Sequence, residues 1–297
     1  MAQFSLTDPR SQYPRPPFPK QPQTAPGLAS DMDPKPDHGE TSYEGTGRLH
    51  GRKALITGGD SGIGKAIAIA YLREGADVAI NYIEDEQSDV DSLVALFEDE
   101  GKQLICIPGD ITDHAFSTQL VHDAYEKLGG LDILVLNAGK QTYVEDFDEL
   151  TPEQFDQTYK TNVYAPFWIL KAASQYLKPG ASVIVSSSIQ AYQPSPGLVD
   201  YASTKAAEKA FVQALGGQWV ASKGVRVNAV APGPVWTPLQ PSGGQPQEAI
   251  EKFGEQVPLG RPAQPAELAP VYVFLASQES GYVSGETYGV TGGSPTA

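Results

Sequence analysis

A regular alternation of two kinds of segment runs from Gly51 to the end of this 297-residue chain. Short apolar segments of strand length, such as Asp77–Tyr82 and Ile133–Leu136, alternate with longer segments that carry apolar residues on one helical face. Strands that are apolar on both faces and alternate with helices are typical of a parallel sheet covered on both sides. Residues 51–297 are therefore predicted to form one doubly wound α/β domain with about seven parallel strands. Within it, a long helix is predicted over Pro152–Tyr176.

The first 50 residues differ in composition from the rest of the chain. Prolines recur through this N-terminal extension without helical or strand periodicity, and aliphatic residues are few. Such a segment is expected to be irregular or polyproline-like and to build no core of its own. Two interpretations stay open: a disordered tail, or an arm that lies along a neighbouring subunit with Tyr13, Phe18 and Leu28 as anchors. A Pro-rich arm would lose less conformational entropy on docking than a flexible one.

Charge and cysteine content narrow the classes of partner and compartment. The chain carries 36 Asp and Glu residues against 21 Lys and Arg, a formal net charge of −15. Nucleic acid and anionic membranes bind basic patches, so neither is expected as a partner. The single cysteine, Cys106, cannot form an intrachain disulfide, which suits a reducing compartment, and we expect a cytoplasmic protein. No apolar run is long enough for a membrane span, and the N-terminus lacks the apolar segment of a secretory signal. The four histidines lack metal-ligand spacing, so no metal site is expected.

A glycine-rich turn, TGGDSGIG at residues 57–64, lies directly between the first predicted strand and the first predicted helix. Glycines let the chain turn tightly and let a pyrophosphate approach bare backbone N–H groups, while the helix N-terminus adds its dipole. The spacing is G-x-x-x-G-x-G rather than the G-x-G-x-x-G of the best-known dinucleotide fingerprint. The position between strand and helix favours a dinucleotide site over a purely structural loop.

The segment Ala181–Lys205 combines an apolar strand, a loop with Pro and Gly, and the start of an Ala-rich helix. Tyr201 and Lys205 are four residues apart, which places phenol and ammonium on one helical face. A neighbouring cation lowers the pKa of a phenol, as proton exchange near neutral pH requires. Ser188, where the strand ends, could hold a substrate oxygen, while the two serines before it are expected to bond backbone. Because surface helices often carry Tyr–Lys pairs, this interpretation depends on the cofactor site.

Together these features resemble the short-chain dehydrogenase/reductase family over nearly all of residues 50–295. The motifs that carry the resemblance are the glycine-rich turn, Asn137-Ala138-Gly139, Asn162, Ser188, Tyr201, Lys205 and Pro232-Gly233, in the family's order. The extension joined to GRKALITGGDSGIG, and the segment SSSIQAYQPSP, are similar to a subgroup of bacterial oxidoreductases and to plant glucose and ribitol dehydrogenase homologues. The resemblance implies a Rossmann-type fold and a homotetramer, with the helices that start near Pro152 and Tyr201 at one interface.

The resemblance also implies an NAD(P)-dependent oxidoreductase that transfers hydride between the nicotinamide and a carbonyl or alcohol carbon. Tyr201 would be the general acid and base, Ser188 would hydrogen-bond the substrate oxygen, and Lys205 would also bind the nicotinamide ribose. Asn162 would hold a water that links Lys205 to solvent. Each residue has a structural alternative, since Lys205 could be a solvated surface lysine and Asn162 could satisfy a kinked helix.

The same resemblance implies which residues contact the cofactor. The pyrophosphate and the adenosine ribose would lie on the turn, and the nicotinamide would lie beside the end of the sixth strand. By position, the contacts would be Gly58, Ser61, Gly62, Ile63 and Gly64 in the turn, Asn81 and Tyr82 at the end of the second strand, Asp110 and Ile111 after the third, Asn137, Ala138 and Gly139 after the fourth, Tyr201 and Lys205, and Pro232, Gly233, Val235 and Thr237 after the sixth.

The end of the second strand bears on the choice between NAD and NADP. NAD enzymes usually place an Asp there, whereas NADP enzymes place Arg or Lys there or in the turn. This chain has NYI at residues 81–83 and then EDE at residues 84–86, so carboxylates rather than a cation would face a 2′-phosphate. The sequence favours NAD, although Asn81 and Ser61 could hydrogen-bond either cofactor.

The substrate and the alternative functions are less constrained. The segment Trp236–Val257, rich in Gly and Pro, is expected to be a mobile lid over the site. Tyr143, Gln190, Tyr192 and Trp236 are expected to line a pocket that suits small aldehydes, ketones or polyols equally. A serine hydrolase is excluded because the chain has neither a G-x-S-x-G elbow nor a late histidine. A non-catalytic dinucleotide sensor on the same fold remains the alternative, although it would not need Ser, Tyr and Lys together.

Overall fold

Seven strands form one sheet in the computed structural model, which describes residues 4–296. The strands are β1 (Lys53–Thr57), β2 (Asp77–Tyr82), β3 (Leu104–Pro108), β4 (Ile133–Leu136), β5 (Ser182–Ser186), β6 (Arg226–Pro232) and β7 (Thr287–Val290). Their order across the sheet is β3-β2-β1-β4-β5-β6-β7, and every neighbouring pair is parallel. The predicted doubly wound fold is confirmed.

Helices cover both faces of this sheet. They are α1 (Gly62–Arg73), α2 (Gln87–Asp99), α3 (His114–Leu128), α4 (Pro152–Tyr159), α5 (Ala165–Ala173), α6 (Val199–Lys223), α7 (Gln247–Ile250) and α8 (Pro265–Ala276). On one face α1, α2 and α8 pack against strand residues such as Ile56, and on the other α3, α5 and α6 pack against neighbours such as Leu55. Successive strand residues point to opposite faces, so β1 to β6 each contribute to both cores. No helix within residues 4–296 is both long and apolar enough to cross a membrane.

The helix predicted over Pro152–Tyr176 contains one π-helical turn, Lys160–Tyr164, between α4 and α5. Pro166 lies in the first turn of α5 and has no N–H. The carbonyl of Asn162, four residues earlier, therefore cannot receive the usual α-helical hydrogen bond. A single π turn inside a helix is a common way to absorb such a local misfit, and it is frequent at functional sites.

The N-terminal extension packs against its own chain. Phe18 is 5% exposed and lies on the indole of Trp236, with ring centroids 4.3 Å apart. Met32 joins the same small apolar cluster. The indole N–H of Trp236 donates to the carbonyl of Pro34 at 2.7 Å. An irregular, Pro-rich segment thus contributes to a core that the domain completes.

The contacts of the predicted anchors bear on the two interpretations of the extension. The guanidinium of Arg261 lies over the ring of Tyr13, 5.2 Å from its centroid, and donates to the carbonyl of Pro9 at 2.8 Å. Leu28 is half-buried. Where the sequence left open a disordered tail or an arm on a neighbouring subunit, the structure gives Tyr13 and Phe18 partners within their own chain.

We expect Phe18→Ala to lower the free energy of unfolding by about 3 kcal/mol, the usual cost of deleting a buried aromatic ring. Leu6→Ala is the matched control, since Leu6 is fully exposed, and its effect should stay within about 0.5 kcal/mol. Denaturant unfolding followed by tryptophan fluorescence measures both variants. Equal unfolding midpoints for the two would contradict the packing of the extension on the domain.

Candidate active site

A cavity of about 560 Å³ opens where the carboxyl ends of the strands meet. The order of the strands reverses between β1 and β4, because β2 and β3 continue to one side and β5 to β7 to the other. Open α/β sheets bind ligands in the crevice at such a switch point. The segments that follow β1 to β6 all contribute to the cavity wall, so the fold assembles distant parts of the sequence at one place.

Nearly all of the predicted site residues line this cavity. They are Gly58, Ser61, Gly62, Ile63, Asn81, Tyr82, Asp110, Ile111, Asn137, Ala138, Gly139, Ser188, Tyr201, Lys205, Pro232, Gly233, Val235 and Thr237. Gly64 and Asn162 do not line the cavity: Gly64 packs against the carbonyl of Gly58, and the side chain of Asn162 bonds the backbone of Lys140.

The glycine-rich turn is tightly packed. A Cβ on Gly64 would lie 1.8 Å from the carbonyl oxygen of Gly58, so only glycine fits there. Gly58 itself has φ +60°, and its carbonyl accepts a hydrogen bond from the Asn137 side chain at 3.0 Å. The side chain of Ser61, the N-cap of α1, makes no capping hydrogen bond within the described chain. The first N–H groups of α1 are therefore left for an external anion.

Tyr201 and Lys205 lie together in the first turns of α6, and both are buried. The Lys205 ammonium is 5.4 Å from the centroid of the Tyr201 ring. Burial raises the pKa of Tyr201 above its usual value, while Lys205 and a hydrogen bond with Ser188 lower it. The effect predicted for Lys205 thus has the expected sign. Burial nevertheless outweighs it.

The three serines at the end of β5 have different partners. Ser186 bonds the side chains of Asn137 and Tyr272 at 3.0 and 2.7 Å, and Ser187 donates to the carbonyl of Lys205 at 3.1 Å. The Ser188 hydroxyl accepts from the N–H of Gln190 at 3.1 Å and lines the cavity beside the phenol. Only Ser188 combines a place on the cavity wall with a link to Tyr201. For Ser187 the expected backbone bond is present, whereas Ser186 bonds side chains instead.

Comparison with known proteins agrees with this geometry. A family model described as "Enoyl-(Acyl carrier protein) reductase" matches residues 58–294. "Uncharacterized oxidoreductase YhxD" of Bacillus subtilis is 54% identical over the full length of both chains. The chain belongs to the short-chain dehydrogenase/reductase family. "Glucose and ribitol dehydrogenase homolog 2" of Arabidopsis thaliana is 39% identical, over 93% of this chain and 97% of that protein. The predicted family and its likeness to the plant homologues are confirmed.

Solved structures of the family superpose closely on this fold. A short chain dehydrogenase from Burkholderia cenocepacia in complex with NADP has a TM-score of 0.77 and 32% identity, over 83% of this chain and 98% of that chain. A 3-ketoacyl-(acyl-carrier-protein) reductase from Brucella melitensis complexed with NADH has a TM-score of 0.74 and 27% identity, over 82% and 98% of the respective chains. The part of the chain outside these alignments is about the length of the extension.

The side chain of Asn162 is occupied by structural contacts. It accepts from the N–H of Lys140 at 2.8 Å and donates to the carbonyl of Lys140 at 2.9 Å and to the hydroxyl of Thr204 at 3.0 Å. These bonds tie the loop after β4 to α6, which carries the tyrosine and lysine. The side chain of Asn162 thus positions the site. Its main-chain carbonyl cannot receive a hydrogen bond from Pro166, which has no N–H.

Carboxylates surround the end of the cavity near the turn, and one of them, Asp60, was not predicted as a site residue. The lining residues from the turn and from the segment after β2 include Asp60, Asp85 and Glu86, and no Lys or Arg. Asp60 is buried, and its Oδ2 has no hydrogen-bond partner within the described residues. Burial raises the pKa of both Asp60 and Glu86. The signal for Asp60 was its place inside the glycine-rich turn.

No group of three or more His, Cys, Asp or Glu among the described residues could hold a metal ion.

The predicted lid is held by the extension, and three of the four residues predicted to line the pocket lie outside its wall. Trp236 is fully buried against Phe18 and does not line the cavity, so its predicted role in the pocket wall is wrong. The extension donates from the N–H of Phe18 to the carbonyl of Glu251 at 3.0 Å. It also accepts from Ser242 at the carbonyl of Pro26, which itself lines the cavity. Gln190 lines the cavity as predicted, whereas Tyr143 and Tyr192 lie outside its wall.

Lys205 forms an ion pair with a buried glutamate, Glu208. Both carboxylate oxygens of Glu208 contact the Lys205 ammonium, at 2.9 and 3.1 Å, and Glu208 is 3% exposed. Burial lowers the pKa of Lys205, but Glu208 and Tyr201 raise it above its usual value overall. The signal in the sequence was a Glu three residues after the lysine, on the same helical face. Glu208 was not predicted because the sequence around it does not distinguish a buried ion pair from an exposed one.

Proposed function

We propose that this member of the family transfers hydride between a nicotinamide dinucleotide and the carbonyl or carbinol carbon of a small aldehyde, ketone or polyol. The observation that carries the proposal is the meeting of Ser188, Tyr201 and Lys205 at one end of a cavity whose other end is the glycine-rich turn. A proton donor, an oxygen-binding hydroxyl and an ammonium then lie within reach of one reacting centre.

The residues of the cavity fit such a cofactor. The free N–H groups at the start of α1 suit a pyrophosphate, and Gly58 and Gly62 let it approach the backbone. The unpartnered Oδ2 of Asp60 suits a ribose hydroxyl, which donates hydrogen bonds. The pyrophosphate would lie between the turn and Thr237, which closes the other side of the cleft at Gly62.

The chain's own groups supply the proton chemistry. In reduction, Tyr201 donates its phenolic proton to the substrate oxygen, and in oxidation the phenolate removes the hydroxyl proton. Ser188 hydrogen-bonds the same oxygen and so aligns it with the phenol. A bound nicotinamide dinucleotide supplies or accepts the hydride, and its oxidised form adds positive charge that favours the phenolate. Lys205 acts in the same direction on the phenol.

The proton that Tyr201 gives up would be replaced from solvent through a water near the π turn before α5. Because Pro166 has no N–H, the carbonyl of Asn162 can accept a hydrogen bond from water. The Cβ position of Gly139 lies 3.7 Å from both the Asn162 side chain and the Lys205 ammonium, so the two residues are close neighbours. A water on that carbonyl would link Lys205 to solvent, as expected for Asn162.

NAD is the cofactor that the electrostatics favour. Asp60, Asp85 and Glu86 would face the 2′-phosphate of NADP, and their segments place no Lys or Arg on the cavity wall. Lys65 also acts on Asp60, but it does not line the cavity. We expect NADH to bind at least ten times more tightly than NADPH, about 1.4 kcal/mol. Fluorescence titrations with both measure this difference, and Asp60→Asn should reduce it. Equal or tighter binding of NADPH would contradict the assignment.

The activity is tested by a panel of aldehydes, ketones and polyols with both cofactors, followed by NAD(P)H absorbance. Turnover of at least one class supports the proposal. Cofactor binding without turnover of any panel member would favour the non-catalytic sensor instead.

We propose a homotetramer as the assembly, with the helix pair α4 and α5 at one of its interfaces. Phe155, Tyr164 and Phe167 lie along this pair with 40 to 48% of their surface exposed. Large aromatic side chains left exposed together are typical of an interface. Light scattering measures the assembly directly, and a monomer would count against it.

A further inference from the structure

Glu208 lies behind the proposed catalytic pair and has no part in the mechanism above. It is on α6, buried, and paired with Lys205 through both carboxylate oxygens. A buried carboxylate costs free energy unless it is paired, so its presence beside a functional lysine calls for a role.

The hydrogen bonds of Lys205 are already complete in the structure. An ammonium group has three N–H donors. Three acceptor oxygens lie around Nζ: the carbonyl of Ser186 at 2.8 Å and the two oxygens of Glu208 at 2.9 and 3.1 Å. A ribose hydroxyl that arrives at Nζ must therefore displace one of them. The carbonyl of Ser186 belongs to β5 and cannot move freely, so the contact that yields is the one with Glu208.

The charge balance around Glu208 depends on that contact. In the described chain, the charged and titratable groups that act on it are Lys205 and Tyr201 from α6 itself and Tyr272 from α8. Of these, Lys205 is the cation. Burial raises the pKa of Glu208 to about 7, and Lys205 holds it from rising further. Weakening the pair leaves a buried carboxylate without its partner.

We propose that Glu208 is a positioning residue for Lys205, and that binding of the dinucleotide draws Lys205 away from it and is accompanied by uptake of a proton by Glu208. The inference rests on the proposed function, because it requires the nicotinamide ribose to reach Lys205. The proton comes from solvent and neutralises the carboxylate, so the buried charge is removed as the ion pair opens. Ionised Glu208 thus holds Lys205 in the ion pair before the dinucleotide binds, and protonated Glu208 no longer holds it.

The proposal predicts that proton uptake and dinucleotide binding are thermodynamically linked. If binding takes up a proton, affinity falls as pH rises, by up to about tenfold per pH unit where Glu208 is ionised in the free protein. Given a pKa of about 7 in the free protein, the fall should be steepest above neutral pH. Asp60 and Glu86 also line the cavity and take part in any wild-type pH dependence.

The test is calorimetric titration of the full chain with NADH at pH 8, in two buffers of different ionisation enthalpy, which counts the protons taken up. We expect wild type to take up a substantial fraction of one proton and Glu208→Gln to lose that fraction. Glu98→Gln, an exposed glutamate of α2, is the matched control and should behave as wild type. The difference between the two variants removes the contribution of Asp60 and Glu86, which both retain.

Equal proton uptake by wild type and Glu208→Gln, with cofactor bound in both, overturns this inference and leaves the proposed function standing. Failure of wild type to bind NADH or NADPH overturns the proposed function, and the inference with it. Should Glu208→Gln not fold, Glu208→Leu and the wild-type affinity between pH 6.5 and 9 take its place. A wild-type affinity that does not change over that range overturns the linkage.

Discussion

Tyr201→Phe should lower turnover by two or more orders of magnitude and leave cofactor binding close to that of wild type. The variant removes only the hydroxyl that exchanges a proton with the substrate, and losing a general acid costs about 10²–10⁴-fold. The ring is 8% exposed and keeps its packing in α6, so the fold should survive. Steady-state kinetics on the best panel substrate and NADH titration measure the two effects separately.

The control for this variant is Tyr282→Phe, since Tyr282 is fully exposed and has no part in the cavity. In the oxidative direction, wild-type turnover should rise with pH as the phenol ionises, because burial raises the pKa of Tyr201. The Phe variant should lose that rise. Turnover within a few-fold of wild type would remove Tyr201 as the general acid and base.

Gly64→Ala is expected to weaken dinucleotide binding by more than tenfold and to destabilise the fold by about 3 kcal/mol, the upper range for overpacking a tight site. The new Cβ would lie 1.8 Å from the carbonyl oxygen of Gly58 and 2.7 Å from the side-chain nitrogen of Asn137. The carbonyl belongs to the backbone of the glycine-rich turn, so the turn itself must open. NADH titration and denaturant unfolding measure the two effects.

Gly217→Ala provides the matched control for the same chemical change. Gly217 is exposed on α6, and its Cβ would meet open space. Alanine in a helix is favoured over glycine by about 0.5–1 kcal/mol, so this variant should be slightly more stable and bind cofactor normally. If both glycine variants behave alike, the close packing of the turn has no bearing on binding.

The strands, the helices and their parallel arrangement were predictable because their determinants are local. Apolar runs such as Asp77–Tyr82 indicate strands buried on both faces, and helical periodicity covers the segments between them. The glycine-rich turn and the pair Tyr201 and Lys205 are local in the same sense, since each lies within one or two turns of backbone. The π turn at Lys160–Tyr164 was not predicted, although Pro166, which lacks an N–H, can be read from the sequence.

The surroundings of the site were decided by contacts between distant parts of the chain. Trp236 was predicted to face the pocket, yet Phe18, more than 200 residues earlier, covers it. The pKa of Tyr201 was expected to be lowered by Lys205, but burial raises it above its usual value overall. The spacing brings Glu208 next to Lys205, but only the packing around α6 buries the pair, with both residues 3% exposed.

The sequence alone determined which groups the protein brings to its site: a turn of glycines, a serine, a tyrosine and a lysine, each recognisable from its spacing. Only the tertiary structure decided their protonation and their neighbours. Spacing along a strand or helix specifies direction, whereas desolvation depends on everything that packs around a group. For that reason the proximity of Tyr201 and Lys205 could be predicted, but the buried carboxylate that faces Lys205 could not.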